Sequence, residues 1–544
     1  MKKNSFMSGA VVATSSIVIS RIIGVLYAII LYPMIGEKGG ALYGYAYSIY
    51  SLFLGISIAG VPFAISKITS EYEALEYHYA KEKAYKIGKI FITTLGLIGF
   101  ILMFVFSEQI GYMFIGDIKG GNTIEEVSFV IRVIATALLV VPILSVSRGY
   151  LQGHKYITAS SLSQVIEQIS RVTFLLVGIY LSLYVFKIGL TYSVGVAVFG
   201  ATVGALFAYL YLFLKIKKQK NIKEIGEIKE EEKKIKALHI IKTIIIYAVP
   251  FILIDVVRSG YKFVDLANLN KTMVNLGYLI TDAEAVTSII STWGTKLDAV
   301  VYSISVGIIV SMIPNINSSY AKGDKEDIRK KVNTSIQALL FVVVPLVFMM
   351  SILSEPIWTV FYGYSELGTL IFQVFIIRTI FVVVYNLTCS VLNCISMSKI
   401  VIVTGIIGLI LKLIFNIPMM NLMEYIGMHP AHGLTVSSII AFGVSALINF
   451  YYIKNKIDIN YKSSFKKIGQ ILFGTTIMVI VMMLMQFIIP METQSRLISF
   501  VIAGVYAIIG TIIYMLIMIK NKSFYEIFGN TIFDKIKSKL KKRV

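Results

Sequence analysis

Apolar runs of roughly 20 residues recur along the whole chain, and they constrain its fold more than any other feature. A run of that length crosses the hydrocarbon core of a bilayer as an α-helix. Only 15% of the 544 residues are charged, against about 25% in a soluble protein. The pattern predicts an all-α polytopic membrane protein with 14 transmembrane helices. The predicted spans are 8–34, 44–66, 86–106, 127–150, 159–183, 189–214, 243–265, 286–318, 333–353, 368–397, 400–421, 432–453, 468–489 and 497–519.

Lysine and arginine are distributed unevenly between the two sets of loops. With the N-terminus in the cytoplasm, 38 of the 51 basic residues fall in cytoplasmic segments and five in the opposite loops. Cytoplasmic loops of membrane proteins carry such an excess. We therefore expect a multi-pass protein of the plasma membrane with both termini in the cytoplasm. The same distribution explains the net charge of +21 without nucleic acid, and it leaves membrane lipids as the expected surroundings.

A weak internal repeat suggests how the helices are grouped. Leu151-Gln152 precedes Arg171, and Leu392-Asn393 precedes Lys412, by the same interval. An even number of helices per half gives a parallel repeat, as in one class of secondary transporters. We expect two pseudo-symmetric six-helix lobes plus two C-terminal helices. The predicted segments are an N-lobe (1–214), a charged cytoplasmic linker (215–242), a C-lobe (243–454), helices 13 and 14 (455–520) and a basic tail (521–544). The tail is either an interfacial amphipathic helix or a frayed basic end.

Little chemistry lies outside the predicted spans. The chain has no G-x-x-x-x-G-K-[ST] motif, so ATP hydrolysis at a P-loop is not expected. His429 and His432 share an outer loop without a third ligand nearby, so no metal or cofactor is expected. Coupling to the membrane potential or to an ion gradient stays open. The outer loops are too short for a catalytic domain, which favours a transporter over an enzyme such as a membrane glycosyltransferase.

Ionisable residues within the spans are the strongest functional signal, because each costs about 2.5–3.5 kcal/mol to insert. The set is net basic, so we expect it to line a wet cavity visited by an anion, or to pair internally. The candidate cations are Arg21, Arg171, Arg258, Lys262, Lys296, Arg378 and Lys412, and the candidate acids are Glu167, Asp255, Asp265 and Asp298.

Four of these residues have a structural interpretation. Glu167 and Arg171 are four residues apart on helix 5 and would neutralise each other, and the alternative is a role in the cavity. Lys412 would bond backbone or neighbouring helices. Arg378, near the start of helix 10, would extend towards the membrane surface.

Helix 7 carries four charges on one stripe, namely Asp255, Arg258, Lys262 and Asp265. Arg258 and Lys262 are like charges one turn apart, and such pairs repel. An anion bound between them would remove the repulsion, so the spacing predicts an anion site. The alternative is a closed ladder in which the two aspartates neutralise the two cations.

Arg21 is the best single candidate for a substrate contact. It lies about 20 Å from the inner end of helix 1, near the membrane midplane, and its span contains no acid. The planar guanidinium binds phosphate oxygens in a bidentate manner. We therefore predict substrate binding by Arg21, together with Arg258 and Lys262. Asp255, Asp265, Asp298, Glu167, Arg171 and Lys412 are predicted to be cavity, coupling or structural charges.

Four segments of the sequence are distinctive: "SRIIG" in helix 1, "GGALYGYAYSIYSLFLGISIAGVPFAISK" across helix 2, "RGYLQGHKYITASSLSQVIEQISRV" over helices 4 and 5, and "IPNINSSYAKGD" after helix 8. Together they resemble the multidrug/oligosaccharidyl-lipid/polysaccharide exporter superfamily, in the branch of the Gram-positive lipid II flippases and the stage V sporulation protein B group. The resemblance implies two six-helix lobes around a central cavity, two extra helices and alternating access. It also implies a substrate of undecaprenyl pyrophosphate bearing sugars, often a peptidoglycan precursor.

The resemblance also implies residue roles. In the lipid II flippases, cavity arginines on helices 1, 2 and 8 contact the pyrophosphate. Arg21 matches the helix 1 motif, whereas Tyr27 and Ala28 stand where a second arginine is often found, and helix 2 has no arginine. Lys296 is the nearest cation on helix 8, so the resemblance adds it to the predicted substrate-binding residues.

We therefore expect a lipid II flippase with cell-wall synthesis enzymes as partners. The alternatives are a flippase for another lipid-linked polysaccharide or a drug/cation antiporter of the same superfamily. An antiporter would require unpaired acids in its cavity.

Overall fold

The computed structural model describes residues 6–58, 60–218, 229–233 and 235–528, and every regular element within those ranges is helical. Much of the predicted linker, 219–228, and most of the predicted basic tail, 529–544, lie outside the described residues. Helices suit a chain in lipid because every backbone hydrogen bond closes within the segment.

The helices follow the predicted apolar runs. In the first part of the chain they are α1 (Phe6–Ile58), α2 (Val61–Ala74), α3 (His78–Val105), α4 (Ser107–Ile115), α5 (Ile124–Ala135), α6 (Val141–Gly153), α7 (Ile157–Tyr180), α8 (Leu190–Lys218), α9 (Glu230–Lys233) and α10 (Ala237–Asn275). They continue with α11 (Ile280–Ser288), α12 (Gly294–Ala321), α13 (Lys325–Ile352), α14 (Ser354–Tyr362), α15 (Glu366–Phe375), α16 (Arg378–Cys394), α17 (Ser398–Tyr425), α18 (Ala431–Ile457), α19 (Lys462–Met485), α20 (Arg496–Lys520) and α21 (Ser523–Phe528).

Twelve helical stretches of the described residues are long and apolar enough to cross a membrane. The count is 13 if the bent pair Ala237–Val249 and Phe251–Asn275 forms one span. The predicted all-α polytopic class is therefore confirmed. One of the twelve stretches, Ser15–Ala74, is 60 residues long.

α1 is broken at Gly36, where φ is 59° and ψ is −158°. A residue with a side chain rarely adopts a positive φ, whereas glycine does so readily. Predicted helices 1 and 2 lie on the two sides of this break. In a straight helix Tyr27 and Tyr43 would be about 24 Å apart along the axis, but across the break their hydroxyl oxygens are 3.2 Å apart.

The chain forms two compact units, Met1–Lys296 and Leu297–Val544. In the first unit, α7 packs against α8 and α1, and α6 packs against α2. Gly149 on α6 lies directly against the backbone of Pro62 on α2, where any larger residue would collide. In the second unit, α18 packs against α17 and α16, and α13 packs against α19. The division predicted at the linker stays a prediction.

A short helix follows a long one in each unit, and the two short helices resemble each other in sequence. α4 and its C-cap read "SEQIGYMFIG", and α14 and its C-cap read "SEPIWTVFYG". Both helices end at a glycine of positive φ, which is 70° at Gly116 and 91° at Gly363. The sequence similarity between α4 and α14 is greater than that of the repeated segments in the sequence analysis. Both helices lie in segments that were expected to be loops.

Candidate functional site

Two cations and two tyrosines from three helices converge within the first unit. Tyr27 and Tyr43 come from the two halves of α1, Arg171 from α7 and Lys296 from the first turn of α12. We call these four residues the cation–tyrosine cluster. The ammonium of Lys296 donates a hydrogen bond to the Tyr27 hydroxyl and lies 4.0 Å from the centroid of that ring.

Arg171 completes the cluster from α7. Its guanidinium donates to the side-chain oxygen of Gln168 at 2.6 Å, and it interacts electrostatically with Tyr27 and Tyr43. Lys296 is also within electrostatic reach of Arg171. Within the described part of the chain, neither cation has a carboxylate closer than 4.0 Å. The cluster therefore holds two positive charges that repel each other, and among the described residues the acid that attracts Arg171 is Glu167, which is already paired with Arg148.

Glu167 forms its ion pair with Arg148, and it interacts with Arg171 only through a longer-range electrostatic attraction. A carboxylate oxygen of Glu167 lies 2.7 Å from the guanidinium of Arg148, which reaches it from α6. Arg148 also donates to Ser163 at 2.8 Å. Helical spacing places Glu167 and Arg171 on one face of α7, but the close contact of Glu167 is with a cation on the neighbouring helix.

Further tyrosines extend the cluster along α1. The rings of Tyr43 and Tyr47 stack at 4.4 Å, and Tyr50 meets Tyr47 edge to face at 5.9 Å. The buried hydroxyl of Tyr47 has no hydrogen-bond partner among the described residues. Tyrosine hydroxyls donate and accept, so this row offers hydrogen bonds to the oxygens of a phosphate or a sugar.

The helix 7 stripe lies on α10, and its first two charges form an ion pair. Arg258 is 2.8 Å from Asp255, as the ladder interpretation expects. Lys262 donates to the backbone carbonyl of Ser291 at 2.9 Å, and Asp265 is buried. The side chain of Arg258 is 61% exposed, so an incoming anion can still reach it.

Arg21 lies on α1, six residues before Tyr27, and is half-buried. Its predicted substrate contact stays a prediction.

The remaining predicted charges lie in the second unit and have structural partners. Asp298 accepts a hydrogen bond from Thr379 at 2.5 Å and lies 3.7 Å from Arg378. Arg378 therefore does not extend outwards as expected. Its guanidinium stacks 3.7 Å from the Phe375 ring and is largely buried, because an acid on α12 compensates its charge.

Lys412 is fully buried between α17 and α18. Its ammonium donates to the Leu434 carbonyl and to the hydroxyls of Ser437 and Ser438, at 2.8 to 2.9 Å. These contacts match the structural interpretation of Lys412, in which it joins neighbouring helices.

Sequence reasoning missed the tyrosines and Arg148 as members of this region. A signal was present, because Tyr43, Tyr45, Tyr47 and Tyr50 crowd into eight residues of an apolar span. Tyr27 was noted only as a replacement for an arginine. Its proximity to Tyr43 depends on the break at Gly36, which sequence spacing does not reveal.

Comparison with known proteins gives consistent matches over both units. A family model described as "Polysaccharide biosynthesis protein" matches residues 6–279, and one described as "Lipid II flippase MurJ" matches residues 300–506. The chain is 29% identical over 525 residues to "Lipid II flippase MurJ" of Bacillus subtilis (strain 168), covering 94% of each chain. It is 27% identical over 225 residues to "Stage V sporulation protein B" of the same organism, covering 41% of each chain.

Solved structures show the same fold. The structure described as "Lipid II flippase MurJ, inward closed conformation" superimposes with a TM-score of 0.68 at 16% identity, covering 95% of this chain and 99% of that one. An inward-facing multidrug resistance MATE family transporter of the MOP superfamily gives a TM-score of 0.63 at 13% identity, covering 81% of this chain and 94% of that one.

Proposed function

Because the chain belongs to the polysaccharide biosynthesis protein family, we propose that it is a flippase for an undecaprenyl-pyrophosphate-linked saccharide. It carries this lipid from the inner to the outer leaflet of the plasma membrane by alternating access. The proposed substrate is lipid II, the lipid named for the Bacillus subtilis relative that matches 94% of the chain. The protein is a transporter and not an enzyme.

The cation–tyrosine cluster is the observation that carries the proposal. Arg171 and Lys296 repel each other and lack a carboxylate within 4.0 Å among the described residues. Two neighbouring positive charges without a close ion pair are costly in membrane-spanning segments unless water or an anion accompanies them. A pyrophosphate carries several negative charges, so it would relieve the repulsion and accept hydrogen bonds from Arg171, Lys296 and the tyrosine hydroxyls.

Other predicted charges take subsidiary roles in this proposal. Arg21 contacts the pyrophosphate, in keeping with its motif, and Arg258 and Lys262 attract the anionic head group towards α10. Asp255 and Asp265 balance those two cations. Movement is driven by the membrane potential or an ion gradient, and cell-wall synthesis enzymes supply and consume the substrate.

The proposed architecture has 14 spans in two six-helix lobes with two added helices. A 60-residue stretch such as Ser15–Ala74 is about 90 Å long as helix, far more than a bilayer core of about 30 Å requires. Division of this stretch at Gly36 gives two spans in place of one, which raises the count from twelve to 13. The bent pair of α10, counted as one span, raises it to 14. The matching sequences of α4 and α14 support the repeat.

A drug/cation antiporter is the less favoured proposal. Such a protein needs acids free to bind a cation, but Glu167 pairs with Arg148, Asp255 with Arg258 and Asp298 with Arg378.

Depletion in the native host tests the function. Loss of the protein should lead to accumulation of a lipid-linked precursor that faces the cytoplasm, and mass spectrometry of extracted lipids should identify it as lipid II. A matched strain that re-expresses the wild-type protein should restore the normal level. Unchanged lipid-linked precursors after depletion, with normal wall synthesis, would contradict the flippase proposal.

A further inference from the structure

A basic cavity, which we call the α3–α8 cavity, lies among α3, α6 and α8 of the first unit. Its volume is about 340 Å³, within the range that holds a small ligand or a head group. Three lysines line it, namely Lys86 and Lys89 from the N-terminal half of α3 and Lys217 from the last turn of α8. It shares no residue with the cluster.

Among the described residues, no carboxylate forms an ion pair with the lysines of this cavity, because none lies within 4.0 Å of them. Lys89 donates to the Tyr209 hydroxyl at 2.7 Å, a neutral partner. Glu82 is the one acid among the described residues that line the cavity, and it accepts a hydrogen bond from Tyr150. The described lining therefore carries a net charge of two positive units, which favours an anion.

The walls of the cavity combine polar and apolar surfaces. Tyr85 stacks on Tyr150 at 4.1 Å, and its hydroxyl lies 3.2 Å from that of Ser147. Phe213 lines the cavity and is 47% exposed, while Ile90, next to Lys89, is 68% exposed. In a membrane protein, exposed apolar side chains of this kind contact acyl chains, so the cavity adjoins lipid as well as cations.

We propose that this cavity binds the phosphate of an anionic glycerophospholipid, with Lys86, Lys89 and Lys217 around the head group and the acyl chains along Phe213 and Ile90. Basic pockets between transmembrane helices bind lipid head groups in this way. The lysines lie at the ends of α3 and α8 that the positive-inside rule assigns to the cytoplasm. The inference is independent of the transported substrate.

Titration of the purified full-length protein in detergent with short-chain phosphatidylglycerol tests the site. Binding is followed by thermal shift and by native mass spectrometry. The Lys86→Gln/Lys217→Gln variant removes two exposed cations without disturbing a hydrogen bond, and we expect it to weaken binding by about tenfold or more. Lys215→Gln/Lys399→Gln removes the same charge from exposed positions outside the cavity and should bind like the wild type.

Two further arms separate the possible ligands. Short-chain phosphatidylcholine, which has no net charge, should bind at least several-fold more weakly than phosphatidylglycerol. Inorganic phosphate alone should not stabilise the protein. Equal binding by the two double variants would overturn the proposal, as would stabilisation by inorganic phosphate that matches the effect of the lipid, because the cavity would then be a site for free anions.

Discussion

Two lysines within spans show how surroundings separate a binding residue from a structural one. Lys412 is fully buried and donates to three oxygens of α18, whereas Lys296 is half-buried and donates to one tyrosine. We predict that Lys412→Ala reduces the free energy of unfolding by about 2 kcal/mol, since buried oxygens lose their donor. We expect the Lys412→Ala protein to have a lower abundance in the membrane and a lower melting temperature than the wild type. Its transport rate per molecule should be retained.

Lys296→Ala should have the opposite pattern. Removal of one of the two cations of the cluster weakens the attraction for a pyrophosphate, so flipping should fall by about tenfold or more. Abundance should stay normal because no ion pair is broken. Lys296→Arg, which keeps the charge, serves as the control and should retain more activity than Lys296→Ala. A flipping assay in reconstituted vesicles measures both, and wild-type rates for Lys296→Ala would refute the role of the cluster.

Arg21 gives a prediction at the same scale that depends on its motif and its position in α1. Arg21→Ala should inactivate transport at normal abundance. Arg21→Lys should also be impaired, because a point charge lacks the bidentate geometry of a guanidinium. Complementation of a flippase-depleted strain, with immunoblots of the membrane fraction, checks both variants. Loss of the protein itself in Arg21→Ala would indicate a packing role instead.

At the scale of helices, the charges of α10 either neutralise one another or bind a ligand. The pair between Asp255 and Arg258 is partly exposed, so it contributes about 1 kcal/mol or less to stability. We expect Arg258→Gln to retain normal abundance and lose transport. If the anion site interpretation is correct, Asp255→Asn/Arg258→Gln stays inactive in the same complementation assay. Full activity of the double variant would favour the closed ladder.

The helices themselves could be predicted from the sequence, because an apolar segment in lipid must satisfy its backbone hydrogen bonds internally and the α-helix does so. The ion pairs could not. Periodicity identifies neighbours within a helix, so it paired Glu167 with Arg171, whereas Arg148 on α6 approaches from a different element. Arg378 similarly reaches Asp298, 80 positions earlier in the chain. The tyrosine contacts depend on the break at Gly36, a local backbone feature within an apolar run.

At the scale of the whole molecule, orientation follows from charge and can be tested directly. Both native cysteines are buried, so the wild-type chain provides a background of low reactivity towards an impermeant thiol reagent. Asp117→Cys and Met428→Cys place exposed thiols in predicted outer loops, and Glu76→Cys and Lys322→Cys place them in predicted inner loops.

In intact cells we expect the reagent to label positions 117 and 428 but not 76 and 322, and after permeabilisation all four. The reason is energetic: 38 of the 51 basic residues would have to cross the membrane in the reversed orientation, against five in the proposed one. Labelling of 76 and 322 alone in intact cells would show that the topology is the reverse of the proposed one. The lysines of the α3–α8 cavity would then lie on the outer face. Labelling of both 117 and 322 in intact cells would instead show that an even number of spans separates the two positions, whereas the proposed arrangement has an odd number. That result would contradict the 14-helix arrangement but would leave the N-terminal orientation intact.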